Sequence, residues 1–265
     1  RSSDDFAIPL DDRGHPILAY SACLTEQGVI FGGRNRIYRY DYDSRSIKLL
    51  LDFSSDPYFA ISAISRWDEE TLLCCSRWQG LRLINLRSGE RRLPPFDCAK
   101  EIMALLIDSH NRIWLAPYNE GLRCFNPEGR LLASYTTDNS GLSNNVVLSM
   151  AERDSHIWVG TDGGGINSFN PLTEKFIHYP STWEDKVASI CQFTPGKLLI
   201  SLFSQGVFIF NPATGEKQPF TIVDAKTTAL LCNRGKAVNL LRNTHHNILF
   251  LGEHIYIYDL NTRTF

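Results

Sequence analysis

Short apolar runs alternate with turn residues along the whole chain, and one pattern recurs six times: an apolar residue, two of any kind, an aromatic residue or Ile, then Asn or Asp. The copies run from Ile37 to Tyr40 with Asp41, Leu81 to Ile84 with Asn85, and Leu122 to Phe125 with Asn126. They continue from Ile166 to Phe169 with Asn170, Val207 to Phe210 with Asn211, and Ile255 to Tyr258 with Asp259. Successive Asn or Asp positions lie 44, 41, 44, 41 and 48 residues apart. Ahead of each copy stands a second apolar run (VIFGG, LLCC, RIWLA, HIWVG, KLLIS, NILFL), and ahead of several a third, such as ISAIS, EIMALLID or NVVLSMAER. After each Asn or Asp comes turn chemistry, clearest in Asn126-Pro-Glu-Gly, Asn170-Pro-Leu-Thr and Asn211-Pro-Ala-Thr-Gly. An Asx side chain opens such a turn by accepting from the backbone about two residues on. The chain then enters a fourth run, for example KLLLDF, RRLPPF, RLLASY, KFIHYP or KQPFTI.

Four short strands per repeat, joined by tight turns at a period of 40 to 50 residues, predict an all-β fold, a β-propeller of four-stranded antiparallel blades. One blade cannot bury both of its faces, so neighbours stack around an axis. The repeats fall at about 17–53, 60–96, 101–136, 145–179, 186–220 and 237–265, in one domain. A ring of six is expected, or part of a larger or seven-bladed ring. Residues 1–16, with Phe6-Ala-Ile-Pro-Leu10, supply a candidate ring-closing strand for a last repeat that stops where its outer strand should begin; the alternative, favoured here, is a piece of a longer protein. Gly80, Gly121, Gly165 and Gly206 precede the third strand and are expected to turn the backbone sharply.

Composition adds limits. Of the 265 residues, 43% are apolar and 21% charged, an ordinary globular profile with ample core. The 27 Lys and Arg nearly balance the 29 Asp and Glu without runs of like charge, so nothing calls for nucleic acid or an anionic membrane. No apolar run approaches the roughly 18 residues of a membrane span. The seven cysteines, Cys23, Cys74, Cys75, Cys98, Cys124, Cys191 and Cys232, lack zinc or CxxC spacing, and most sit in strand-like runs as buried small hydrophobes.

Candidate chemistry is sparse. There is no GxSxG elbow, and His245-His246 falls in a predicted turn. Gly163-Gly164-Gly165 lies between two strands rather than before a helix, so it lacks the helix terminus of a phosphate cradle. No catalytic residue, metal site or cofactor is assigned. Ligands are sought on the face carrying the loops between second and third strands and the loops joining blades. The first set holds Arg34, Arg77, Trp78, Gln79, Tyr118, Asn119, Glu120, Asp162, Phe203, Ser204 and Gln205. The second holds Tyr58, Phe59, Lys100, Asn145, Trp183 and Asp185. Rings beside polar groups suit a sugar, whose C–H faces pack on aromatics while its hydroxyls take hydrogen bonds. Trp78, Tyr118 and Trp183 head this set, with Arg34, Tyr58, Arg77, Asn119, Asp162 and Gln205 beside them.

The fourth repeat is the most distinctive. Gly141-Leu142-Ser143 with Asn144 and Asn145, Ile157-Trp158-Val159-Gly160-Thr161, Gly164-Gly165-Ile166, Phe169-Asn170-Pro171 and Phe176-Ile177-His178-Tyr179 together resemble the two-component-regulator propeller repeat, found in sensor regions of Bacteroides-type hybrid histidine kinases. The third repeat keeps Asp108, Ile113-Trp114 and Gly121-Leu122 through Phe125-Asn126-Pro127, while the other copies lack the second-strand Trp. The resemblance implies a periplasmic ligand-sensing region of an inner-membrane receptor, with an adjoining propeller and an immunoglobulin-like module as neighbours and the histidine kinase outside these residues. The expected function is recognition of an oligosaccharide or similar small ligand, signalled by domain rearrangement; a homodimer is allowed. The alternative is a protein-interaction propeller without a small ligand. A lactonase-like or lyase-like enzyme would need acidic or His side chains on the innermost strands, where ILAYSAC, ISAIS, VVLSM and VASIC are apolar or small.

Overall fold

The computed structural model describes residues 17, 19–33, 35–44, 46–76, 79–96, 101–179, 185–220, 239–242, 247–251 and 255–262. The first sheet is built from β1 (Ser21–Leu24), β2 (Gly28–Gly33), β3 (Arg36–Asp41) and β4 (Ser46–Asp52). The second holds β5 (Ile61–Arg66), β6 (Thr71–Ser76), β7 (Gly80–Asn85) and β8 (Arg91–Arg92), and the third β9 (Ile102–Ile107), β10 (Ile113–Pro117), β11 (Leu122–Phe125) and β12 (Leu131–Tyr135). The fourth holds β13 (Val147–Arg153), β14 (His156–Thr161), β15 (Ile166–Asn170) and β16 (Lys175–Tyr179), and the fifth β17 (Val187–Gln192), β18 (Leu198–Leu202), β19 (Gly206–Asn211) and β20 (Glu216–Pro219). The sixth has β21 (Asn239–Arg242), β22 (Asn247–Leu251) and β23 (Ile255–Asp259). Strands pair antiparallel in chain order within each sheet.

First strands form the inner ring: β1 lies against β5, β5 against β9, β9 against β13, β13 against β17, and β17 against β21. β21 in turn comes within 8 Å of β1, measured between Cα atoms, which brings the last sheet beside the first.

The second strand of each blade is apolar at nearly every position because both of its faces are covered. In β6, Leu72 and Cys74 pack into the core shared with the first sheet, while Leu73 and Cys75 pack into the core shared with the third. In β10, Ile113 and Leu115 face back and Trp114 and Ala116 face forward; in β14, Ile157 and Val159 face back and Trp158 forward. This follows from the two-residue period of a strand, and each buried Leu, Ile or Phe contributes about 1.5–3 kcal/mol. Polar links also bridge blades: Ile64 N–H donates to Ser21 Oγ at 3.0 Å, Ser149 Oγ to the Val187 carbonyl at 2.8 Å, and Arg153 Nη1 to the Lys197 carbonyl at 2.8 Å.

The repeat-marking Asn and Asp residues do what their position predicts. Asn85 Oδ1 accepts from Arg87 N at 2.9 Å, Asn170 from Leu172 N at 2.9 Å, Asn211 from Ala213 N at 3.1 Å and Asp259 from Asn261 N at 2.7 Å. Asp41 and Asn126 reach one or two residues further, to Ser44 N and Arg130 N. The four glycines before third strands all have positive φ, from 69° at Gly80 to 99° at Gly206. Cys23, Cys74, Cys75, Cys124 and Cys191 are buried free thiols, and burial pushes Cys23 and Cys124 up to about 12. Cys98, Cys232 and His245-His246 lie outside the described residues.

The six repeats give six sheets among the described residues. Five of the six repeats form four-stranded blades, and the sixth contributes a three-stranded sheet among the described residues. A seventh blade does not fit between this sheet and the first, because β21 already lies beside β1. The Phe6–Leu10 ring-closing segment lies outside the described residues. The second blade's outer strand is cut to Arg91–Arg92, because Pro94 and Pro95 offer no N–H to continue its ladder.

Candidate binding site on the loop face

Four inner strands share an irregularity at the end that meets the loop face. Ile61 pairs with Ser76 and Ala63 with Cys75, which leaves Ser62 unpaired. Met103, Leu148 and Ala188 are skipped in the same way in β9, β13 and β17. Such a bulge re-aims one side chain per strand. Ser62 and Met103 line a cavity of about 700 Å³ together with Tyr20, Asn35, Pro57, Phe59, Ala60, Ile61, Glu101 and Ile102. Every liner lies on, or just ahead of, an inner strand or in a loop-face connection. The cavity therefore opens on the loop face, where blades one to three meet the axis, and its size suits a small ligand.

The lining mixes rings with hydrogen-bonding groups. Tyr20 is 43% exposed, and among the described residues nothing hydrogen-bonds the Asn35 amide or the Glu101 carboxylate. The wall at Pro57 and Phe59 is held from outside. Arg91 Nη1 donates to Asp56 Oδ2 at 2.8 Å, and Gln79 Nε2 donates to the same carboxylate at 3.1 and 3.2 Å. The Arg91 guanidinium also stacks 5.2 Å from the Phe53 ring centroid and 4.9 Å from that of Phe59. Arg91, and after it Gln79, hold the Asp56 carboxyl below its ordinary value, so it stays ionised and clamped.

A second group lies across blades three to five. The turn after β10 is fixed by Tyr118 N–H to the Glu101 carbonyl at 3.0 Å, Glu120 N–H to the Pro117 carbonyl at 3.1 Å and left-handed Asn119 at φ 58°. It carries the Tyr118 ring 53% exposed. Lys186 Nζ donates to Asp162 Oδ2 at 2.8 Å; that bond and the Asp162 charge, with a smaller part from Tyr118, raise the Lys186 pKa. Ser204 donates its hydroxyl at 2.7 Å and its N–H at 2.9 Å to Asp185 Oδ2. Against the upward push of burial, these bonds hold Asp185 below its ordinary value. Gln205 is bonded by Lys217 Nζ at 2.9 Å and also bonds Asp185.

Of the residues picked from sequence, Tyr118, Asp162 and Gln205 thus fall in one polar strip, with Asn119 shaping its edge. Tyr58 stands apart, 68% exposed between the cavity liners Pro57 and Phe59. Arg34, Arg77, Trp78, Lys100 and Trp183 lie outside the described residues. Sequence reasoning missed Tyr20, Asn35, Ser62, Glu101 and Met103. Their signal was position alone: each sits where an inner strand begins or in a loop beside one. Among the described residues no group of three or more His, Cys, Asp or Glu could hold a metal ion, and no helix is long and apolar enough to cross a membrane.

The distinctive fourth repeat proves to be packing machinery. Leu142 is buried in the core between the third and fourth blades. Asn167, fully buried, accepts from Ser143 N at 3.2 Å and donates to Ser143 Oγ at 2.8 Å. Asn144 Nδ2 donates to the Asp162 carbonyl at 2.7 Å and its Oδ1 accepts from Val146 N at 2.7 Å, which pins the chain entering β13 to the Gly163–Gly165 connection. A Cβ on Gly164 would lie 2.7 Å from both Ser143 Oγ and Thr161 Oγ1, so the glycine run connects two strands, as expected, and is closely packed at its middle residue.

Residues 141–163 match the family described as Two component regulator propeller, which makes this segment a repeat of that kind. No curated protein sequence matches the chain. Among solved structures the chain is similar to the extracellular domain of BT4673 from B. thetaiotaomicron, described as a one component system, at TM-score 0.68 and 17% identity, over 94% of this chain and 39% of that one. It is similar to the extracellular domain of BT3049 from B. thetaiotaomicron, described as a hybrid two component system, at TM-score 0.63 and 17% identity, over 98% of this chain and 35% of that one. The WD40 beta propeller domain of Doa1 aligns at TM-score 0.63 and 14% identity, over 92% of this chain and 79% of that one. These likenesses establish the propeller fold. The chain spans 39% and 35% of the length of the two B. thetaiotaomicron domains.

Proposed function

We propose that this propeller is a ligand-sensing domain of a two-component-type receptor, outside the cytoplasm and in the periplasm, that binds an oligosaccharide and acts without catalysis of its own. The observation that carries the reading is the cavity at the axis, where Tyr20 supplies an exposed ring and Asn35, Ser62 and Glu101 supply hydrogen-bonding groups. The two-component-regulator repeat at residues 141–163 supports the receptor context. Binding signals only if the ligand favours one arrangement of the receptor over another.

Titration calorimetry against neutral glucan, xylan, arabinan and mannan oligosaccharides tests this reading. At least one class is expected to bind, with affinity falling about tenfold in Tyr20→Ala, the loss of one stacking ring. Absence of heat with every class, or a Tyr20→Ala variant that binds as well as the parent, would overturn it. A second reading, docking of a protein partner, draws on a different observation. Leu131 and Leu132 on β12, with Leu172 and Ile177 on the fourth blade, are exposed on the outer edges rather than near the cavity.

A further inference from the structure

Resting on the oligosaccharide reading, we infer that the ligand is an extended chain rather than a single sugar, because a second sugar-binding subsite continues from the cavity across blades three to five. Tyr118 is the joint between the two. Its N–H donates to the carbonyl of Glu101, whose residue lines the cavity, while its ring stands exposed beyond the rim. Next along the face is the ion pair of Asp162 and Lys186, joined to the Tyr118 turn through Asn145 and Val146, whose carbonyls accept from Gly121 N–H at 3.0 Å and Asp162 N–H at 2.9 Å. Beyond it stands Phe203, 38% exposed, with its N–H on the Lys186 carbonyl at 3.0 Å.

Ring, paired charges and ring in this order reproduce what a sugar chain presents: apolar C–H faces separated by hydroxyls that bridge a carboxylate and an ammonium. The platform is also rigid before any ligand arrives. The Tyr118 turn is hydrogen-bonded at both ends, with Gly121 N–H on the Asn145 carbonyl at 3.0 Å. Asp162 is held through its own N–H to the Val146 carbonyl at 2.9 Å and through its carbonyl by Asn144. Little ordering entropy remains to oppose binding. Because carboxylate and ammonium neutralise each other, the strip favours neutral sugars over polyanionic ones.

The test uses a disaccharide and a hexasaccharide of the binding class from the calorimetric panel. The hexasaccharide is expected to bind about tenfold more tightly, and Tyr118→Ala or Phe203→Ala to remove that advantage while leaving the disaccharide affinity unchanged. Tyr118→Phe, which keeps the ring, is expected to retain it, and Tyr20→Ala to weaken both ligands. Equal affinities for the two lengths, or Tyr118→Ala weakening the disaccharide as much as the hexasaccharide, would overturn the second subsite while leaving the cavity reading in place. Failure of both lengths to bind would overturn the oligosaccharide reading itself.

Discussion

Replacing Asp108 with alanine is expected to lower the unfolding free energy by about 4 kcal/mol, read as a shift in the denaturant midpoint without a change in slope. The Asp108 side chain is fully shielded from solvent and accepts four hydrogen bonds in the turn between β9 and β10. His110 N and Arg112 N reach Oδ1 at 3.0 and 2.9 Å, and Arg112 Nε and Trp114 Nε1 reach Oδ2 at 2.7 and 2.9 Å. Alanine leaves the Trp114 indole N–H unpaired inside the core, where that ring is 1% exposed and packs on Tyr135 and Phe169. It also strips the half-covered Arg112 of its counter-charge. Asp108→Asn keeps one acceptor oxygen but turns an NH₂ towards these donors, so an intermediate loss of about 2 kcal/mol is expected. A stable Asp108→Ala protein would show that this carboxylate does not organise the blade.

The second large effect is expected from Gly121→Ala, a loss of about 3 kcal/mol against about 1 kcal/mol for Gly163→Ala. Both glycines have positive φ, 72° and 80°. They differ in what surrounds them. A Cβ on Gly121 would lie 2.1 Å from the Tyr135 carbonyl oxygen, where β11 begins to pair with β12, whereas a Cβ on Gly163 meets nothing within 4 Å. Alanine at Gly121 must therefore force the sheet apart as well as strain the backbone. Equal losses at the two positions in chemical denaturation would mean that backbone conformation alone sets the cost.

The fold was legible where the cause is local. Asn85, Asn126, Asn170 and Asn211 mark turns because their own side chains close them, and Gly80, Gly121, Gly165 and Gly206 mark third strands because the backbone there needs positive φ. The LLCC and RIWLA runs marked second strands, which the structure buries at every position. The cavity was not legible, because it depends on pairing register. Ser62, Met103, Leu148 and Ala188 share no chemistry, and only the skipped rungs beside them show that they occupy equivalent bulges. Tyr20 lay inside ILAYSAC, a run read as innermost and apolar. The link from Arg91 to Asp56 spans 35 residues and exists only once the second blade is folded beside the loop that leads into it. The strip was half legible: Tyr118, Asp162 and Gln205 were picked for their places in loops after second strands, while Lys186, which bonds Asp162, had no motif to mark it.

Hydrogen exchange with and without the bound oligosaccharide tests the functional account most directly, because it reports where on the ring the ligand sits. Slowed exchange is predicted at residues 19–22, 59–63 and 101–104, extending to 117–119 for the longer chain. Protection confined to β12 and β16, on the exposed outer edges, or no protection anywhere under saturating ligand, would contradict it.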